Sequence, residues 1–132
     1  MNSGILCDLT QLLGRVLMSL MFISAGWSKI VGYAGTQAYM ESAGVPGALL
    51  PLVIIAELGG GLAVLFGFLT RWAALGLALF CLASAWLFHN VPGDQAQMIN
   101  FMKNVTIAGG FFILACAGAG KLSVDHWLRR NK

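Results

Sequence analysis

Four long apolar stretches, residues 9–31, 49–69, 72–88 and 98–117, take up most of the chain, and polar residues collect between them. Each is close to the roughly 20 residues that an α-helix needs to cross a hydrocarbon core. They are too continuous for barrel strands, which alternate apolar and polar positions. Backbone without water to bond must satisfy itself, so such segments are helical. The pattern predicts an all-α integral membrane four-helix bundle, with residues 1–132 forming a single domain. No Lys or Arg precedes the first stretch and it outruns a signal-peptide core, so it reads as a retained span.

The connections add detail. "GYAGTQAYMESAGVP" predicts a short interfacial helix between spans one and two, capped by Thr36, running through Ser42 and stopped by Gly44 and Pro46. Tyr33, Tyr39 and Met40 suit it to lie in the interface or to cover the bundle mouth. Pro51 falls in the first turn of span two, where its missing N–H costs nothing. "GFLTR" is short enough to force spans two and three into an antiparallel hairpin. "NVPGDQAQ" carries turn residues, and "AGKLSVDHWLRRNK" reads as a short basic amphipathic segment on the inner surface.

Polar residues inside the spans carry the chemistry. At about 100° per residue, Arg15, Ser19, Phe22, Gly26 and Lys29 fall within about 40° of one line on span one. Span two holds Glu57 alone in "VIIAELGGGLAVLFGF". A charge at mid-span costs at least about 2.5–3.5 kcal/mol on insertion scales, so such groups turn inward and pair. Glu57 lies about 12 Å below the outer end of its span and Lys103 about 6–8 Å below the same surface, with Lys29 and His89 close to it. Arg15 starts about 9 Å above the inner surface and needs most of its stem to approach Glu57. The depths predict that Glu57 is the common counter-ion of Arg15, Lys29 and Lys103, with Gly59, Gly60 and Gly61 admitting a helix or a ligand. More cations than carboxylates around a hollow suits a quinone oxygen, a carboxylate or an oxyanion. The same network, without a ligand, would serve to fix helix register.

Composition closes off other classes. With 58% hydrophobic and 10% charged residues, and a mean hydropathy of +0.80, nothing remains for a soluble domain. The net charge of +3 sits largely at span ends, which argues against nucleic acid. Arg71, Lys121, Arg129, Arg130 and Lys132 share one side against Lys29 and Lys103 on the other, which predicts both termini in the cytoplasm. Cys7, Cys81 and Cys116 make no C-x-x-C pair and read as apolar fillers. No metal ligand set, haem attachment, phosphate loop or dinucleotide fingerprint is legible, so no metal and no covalently bound cofactor is expected.

"GRVLMSLMFISAGWSKIVGY", "AELGGGLAVLFGFLTRWAA", the "FH" closing span three, "FMKNVTIAGG" and "AGAGKLSVD" occur in an order that resembles the DoxX family of small bacterial inner-membrane proteins, over about residues 10–126. The resemblance implies a four-helix bundle in the cytoplasmic membrane. It implies a role beside sulfur-oxidising or thiol-redox proteins, with electrons passing to quinone. The family pattern falls on Arg15, Gly26, Lys29, Glu57, Gly60, Arg71, His89, Lys103, Gly110 and Ser123. Ser123 reads as the N-cap of a tail helix.

Together these readings predict a quinone-linked or thiol/sulfur-redox-associated oxidoreductase component. Glu57, His89 and Lys103 are its candidate catalytic groups, and Arg15, Lys29, Glu57, Gly60, Gly61 and Lys103 its candidate ligand contacts. Arg15 would hold Glu57 ionised. No residue is an evident electron carrier, so a diffusible quinone or a redox partner protein is implied. The expected partners are lipid, a quinone or small anion, and a second copy of the chain. Two other classes remain open: a small proton-coupled transporter, and a non-catalytic structural subunit of a membrane complex.

Overall fold

The computed structural model describes residues 3–130. Helix α1 spans Ser3–Val31 and α2 spans Tyr33–Ser42. The second span is composite: a 3-10 turn at Gly47–Leu49, α3 at Leu50–Ile54, a π-helical turn at Ile55–Gly59, and α4 at Gly60–Phe66. Helices α5 (Thr70–Phe88) and α6 (Gln95–Ala117) follow, then the short α7 (Val124–Arg130). Four segments, Gly4–Val31, Gly47–Phe66, Thr70–Phe88 and Gln95–Ala117, are long and apolar enough to cross a membrane. Both ends of the described chain lie at one end of the bundle, where Gln11 of α1 packs on Gly120 before α7. That end is called the terminal end below, and the opposite one the far end. Lys132, counted in the charge asymmetry, lies outside the described residues.

Small residues set how closely the helices approach. A Cβ on Gly26 of α1 would lie 2.9 Å from Leu58 Cβ and 3.0 Å from Leu58 N. One on Gly61 would lie 2.9 Å from Ile23 Cγ1 and 3.2 Å from Ile23 N. Span one and span two are therefore in backbone contact at two levels. Gly60 faces Leu77 of α5. The core beneath joins Phe22, Val64, Ala74, Leu77, Ala78, Cys81, Ala108 and Phe111. Phe22 and Phe111 meet edge to face at 5.4 Å, a favourable aromatic geometry. Leu13, Leu17, Leu52, Ile55, Leu79 and Ile113 stay exposed, as side chains facing acyl chains do.

The predicted stripe on span one is present: Arg15, Ser19, Phe22 and Gly26 are buried and Lys29 half-buried. Two local expectations need correction. Helix α2 begins at Tyr33, and the Thr36 hydroxyl donates back to the Gly32 carbonyl at 3.0 Å rather than capping the helix. Gly60 and Gly61 admit neighbouring helices, as Leu77, Ile23 and Phe22 pack against them, but neither lines the cavity beside Glu57 described below. At the other end of the chain Ser123 caps α7 as expected, accepting from the His126 N–H at 3.2 Å.

Candidate functional site

Glu57 sits in the π-helical turn, 4% exposed. Single π turns interrupt α-helices often at functional sites, because the extra residue redirects a side chain. Here the carboxylate turns toward the far end of α1, where Lys29 Nζ lies 2.7 Å from Glu57 Oε1. This is the one ion pair among the described residues. Glu57 accepts no hydrogen bond from any described side chain or backbone group, and its buried Oε1 has the Lys29 ammonium as its one ion-pair partner among the described residues. A buried carboxylate with this little solvation is costly unless something further meets it.

Beside the pair lies a cavity of about 480 Å³. Lys29 and Glu57 line it, with Tyr39, Phe80, Phe88 and His89 among its other walls. Helix α2 roofs it: Tyr39 stacks on Phe88 at 5.6 Å with the rings 22° apart, and Met40 is buried below. His89, the residue that ends α5, brings Nδ1 to 2.7 Å from Gln97 Oε1 of α6. With the amide oxygen accepting, Nδ1 is the donor, and Nε2 makes no hydrogen bond with a described residue. The site thus combines aromatic and aliphatic walls with one acid, one ammonium and one imidazole, which can orient and exchange protons with a flat, partly polar ligand.

Two residues placed in this site from the sequence lie elsewhere. Arg15 does not reach Glu57. It is fully buried near the terminal end, where Nη1 donates to the carbonyls of Val64 and Leu65 at 3.3 and 3.5 Å and Nη2 to that of Leu122. The reason is register. Gly26 is level with Leu58, so Arg15 sits eleven residues, roughly 16 Å, away from that level along α1. Lys103 does not reach Glu57 either. It is exposed and lines an open groove on α6 with Met98, Ile99 and Met102. Ala108 and Phe111 set the buried face of α6, and Lys103 stands roughly 140° round the helix from Ala108. Glu57, Lys29 and His89 share one cavity; Arg15, Lys103, Gly60 and Gly61 are not part of it.

The structure adds residues that the sequence did not single out. Gln97 orients His89, and its signal was only its place one turn into α6. Asp125 acts at the terminal end: Oδ1 accepts from Leu69 N–H at 2.7 Å and Oδ2 from Thr70 N–H at 2.9 Å, capping α5 from α7. Its own N–H donates to the Gly67 carbonyl at 2.8 Å. Burial alone would raise the Asp125 carboxyl. The Thr70 N–H and nearby hydroxyl, the Leu69 N–H and the Arg129 charge outweigh it and hold the group below the usual carboxylate range. Cys81 is buried and Cys7 and Cys116 are exposed; all three are free thiols and none lines the cavity. No group of three His, Cys, Asp or Glu side chains comes together among the described residues.

Sequence comparison agrees with the architecture. The DoxX family profile matches residues 10–90. The chain is 55% identical to inner membrane protein YqjF of Escherichia coli over 124 residues, covering 94% of this chain and 95% of that one. It is 37% identical to inner membrane protein YphA of the same organism, over 87% of each chain. A Bacillus subtilis protein named "Putative oxidoreductase CatD" is 35% identical over 95% of this chain and 91% of its own. No solved structure matches. Matched by the family profile over more than half its length, and by two relatives nearly end to end, this chain belongs to the DoxX family.

Proposed function

We propose that this protein is a quinone-binding component of a redox system in the bacterial inner membrane. The observation that carries the reading is Glu57: buried, bonded to nothing but Lys29, and open to a cavity with aromatic walls. A quinone ring fits these features. Its faces pack on Tyr39, Phe80 and Phe88, one carbonyl oxygen accepts from the Lys29 ammonium, and Glu57 takes or gives a proton. Reducing a quinone to the quinol consumes two electrons and two protons. Glu57 and His89 are suited to the proton side. The electrons come from a reduced partner protein, since no thiol of this chain borders the cavity. The name of the Bacillus relative supports a redox role, and those of the Escherichia coli relatives support the inner membrane.

Orientation belongs to the same reading. Arg71, Lys121, Arg129 and Arg130 gather at the terminal end, with Lys29 and Lys103 toward the far end, so both termini face the cytoplasm and the cavity opens toward the outer leaflet. A fluorescent protein fused to the C-terminus should be bright, and an alkaline phosphatase fusion inactive.

Extraction of protein purified in mild detergent tests the function. Wild type should yield quinone close to one per chain, and Glu57→Gln and Lys29→Met far less. Quinone absent from folded wild type, or present equally in both variants, would refute the assignment. Loss of stability in those variants with no change in bound quinone would leave the pair as a purely structural contact.

A further inference from the structure

We infer that a second cavity, at the terminal end, is a binding site for the phosphate of an anionic phospholipid. It encloses about 960 Å³ between the start of α1, the start of α5, the 117–121 link and α7. Arg71, Lys121 and Arg129 bring three cations to its walls. Two carboxylates also line it, Asp8 and Asp125, but both Asp125 oxygens already accept from the Leu69 and Thr70 N–H groups. Arg71 and Lys121 have no hydrogen bond or ion pair with any described residue. The Arg71 guanidinium lies over Gly118, where a Cβ would come within 3.2 Å of Nε and Nη2. Gly118 has φ +81°, so the turn admits the planar group against bare backbone and holds its fork in place.

Depth identifies the source of the phosphate. Trp72 and Trp127 line the cavity and remain 76% and 61% exposed, as indole rings do in the headgroup layer. Helix α7 follows the last span after a six-residue link and ends on Arg129 and Arg130, which suits it to lie in that layer. Basic pockets between helix ends at this level take lipid phosphates, and an arginine fork matches two phosphate oxygens. The three cations outnumber Asp8 and Asp125, so the site keeps a positive excess that favours an anionic lipid over a choline headgroup, which brings a cation of its own. This site shares no residue with the cavity around Glu57, and its test does not depend on quinone binding.

Native mass spectrometry of the full chain, titrated with phosphatidylglycerol or phosphatidylcholine, decides the matter. Wild type should retain phosphatidylglycerol preferentially, and Arg71→Gln and Lys121→Gln should each weaken retention about fivefold. Lys121→Gln guards against a folding artefact, because the Lys121 side chain makes no polar contact with the described residues. Millimolar inorganic phosphate should leave the lipid bound. Equal retention of both lipids, unchanged retention in both variants, or displacement by inorganic phosphate would each overturn the inference.

Discussion

Removing Lys29 tests whether the Glu57 pair is as isolated as its geometry indicates. Lys29→Met keeps the apolar stem and deletes the charge that lies 2.7 Å from Glu57 Oε1. No other described group bonds the carboxylate. Breaking one side of a buried pair costs about 3–5 kcal/mol, because the charge left behind is uncompensated. The Lys29 side chain is 27% exposed, so some solvent reaches the pair and about 3 kcal/mol is the better expectation. Glu57→Gln leaves the opposite remnant, an ammonium whose long stem can carry it toward the far-end interface. Its cost should be nearer 1 kcal/mol. The double variant holds no buried charge and should recover about 2 kcal/mol relative to the sum of the singles. Unfolding of all four proteins in mixed micelles at neutral pH measures the coupling. Additivity within about 0.5 kcal/mol would mean that Glu57 has another partner, and the reasoning fails.

Three further outcomes follow from the terminal end. Arg15→Gln should destabilise by about 3 kcal/mol, since the Val64 and Leu122 carbonyls lose a charged donor, while protein that remains folded should yield as much quinone on extraction as wild type under the proposed function; selective quinone loss would restore a link between Arg15 and Glu57. Gly67→Ala should cost more than about 2 kcal/mol in the same unfolding assay, because φ is +70° and the new methyl would collide with Arg15 Nη1 and Ser123 Cβ. Asp125→Ala should cost about 1 kcal/mol at neutral pH through loss of the α5 cap. Since folding depresses the Asp125 pKa, its stabilisation is complete above the ordinary carboxylate range and disappears as pH falls through the depressed value. The two proteins should therefore converge in stability in acid, read by unfolding against pH.

The bundle was legible because lipid allows few solutions. Four apolar runs of spanning length leave helices as the only form, and a charge deep in such a run, as at Arg15 and Glu57, turns inward. The line through Arg15, Ser19, Phe22, Gly26 and Lys29 followed from 3.6-residue periodicity and is buried or half-buried in the structure. What periodicity does not hold is the offset between two helices. The contact of Gly26 with Leu58 places Lys29 beside Glu57 and moves Arg15 beyond reach, and only packing sets that contact. Rotation is lost in the same way. Lys103 lies in the fourth apolar run at a depth that suits a far-end site, but the seat of Phe111 in the core turns it outward. Asp125 was hidden because its partners, Leu69 and Thr70, are backbone donors more than fifty residues away. Backbone donors leave no mark in side-chain patterns.

The π turn at Ile55–Gly59 makes the second span two rods on separate angular settings. One surplus residue rotates everything from Gly60 onward by about 100° relative to an unbroken helix begun at Leu50. The base of the span is therefore keyed to Ile23 and Leu77 independently of the mouth, where Leu49 and Val53 line the cavity. Deleting Gly59, which lies beyond Glu57 in the turn, would unlock the base while barely touching the mouth. Substitutions above it reshape the chamber without disturbing how the helices are bolted together below.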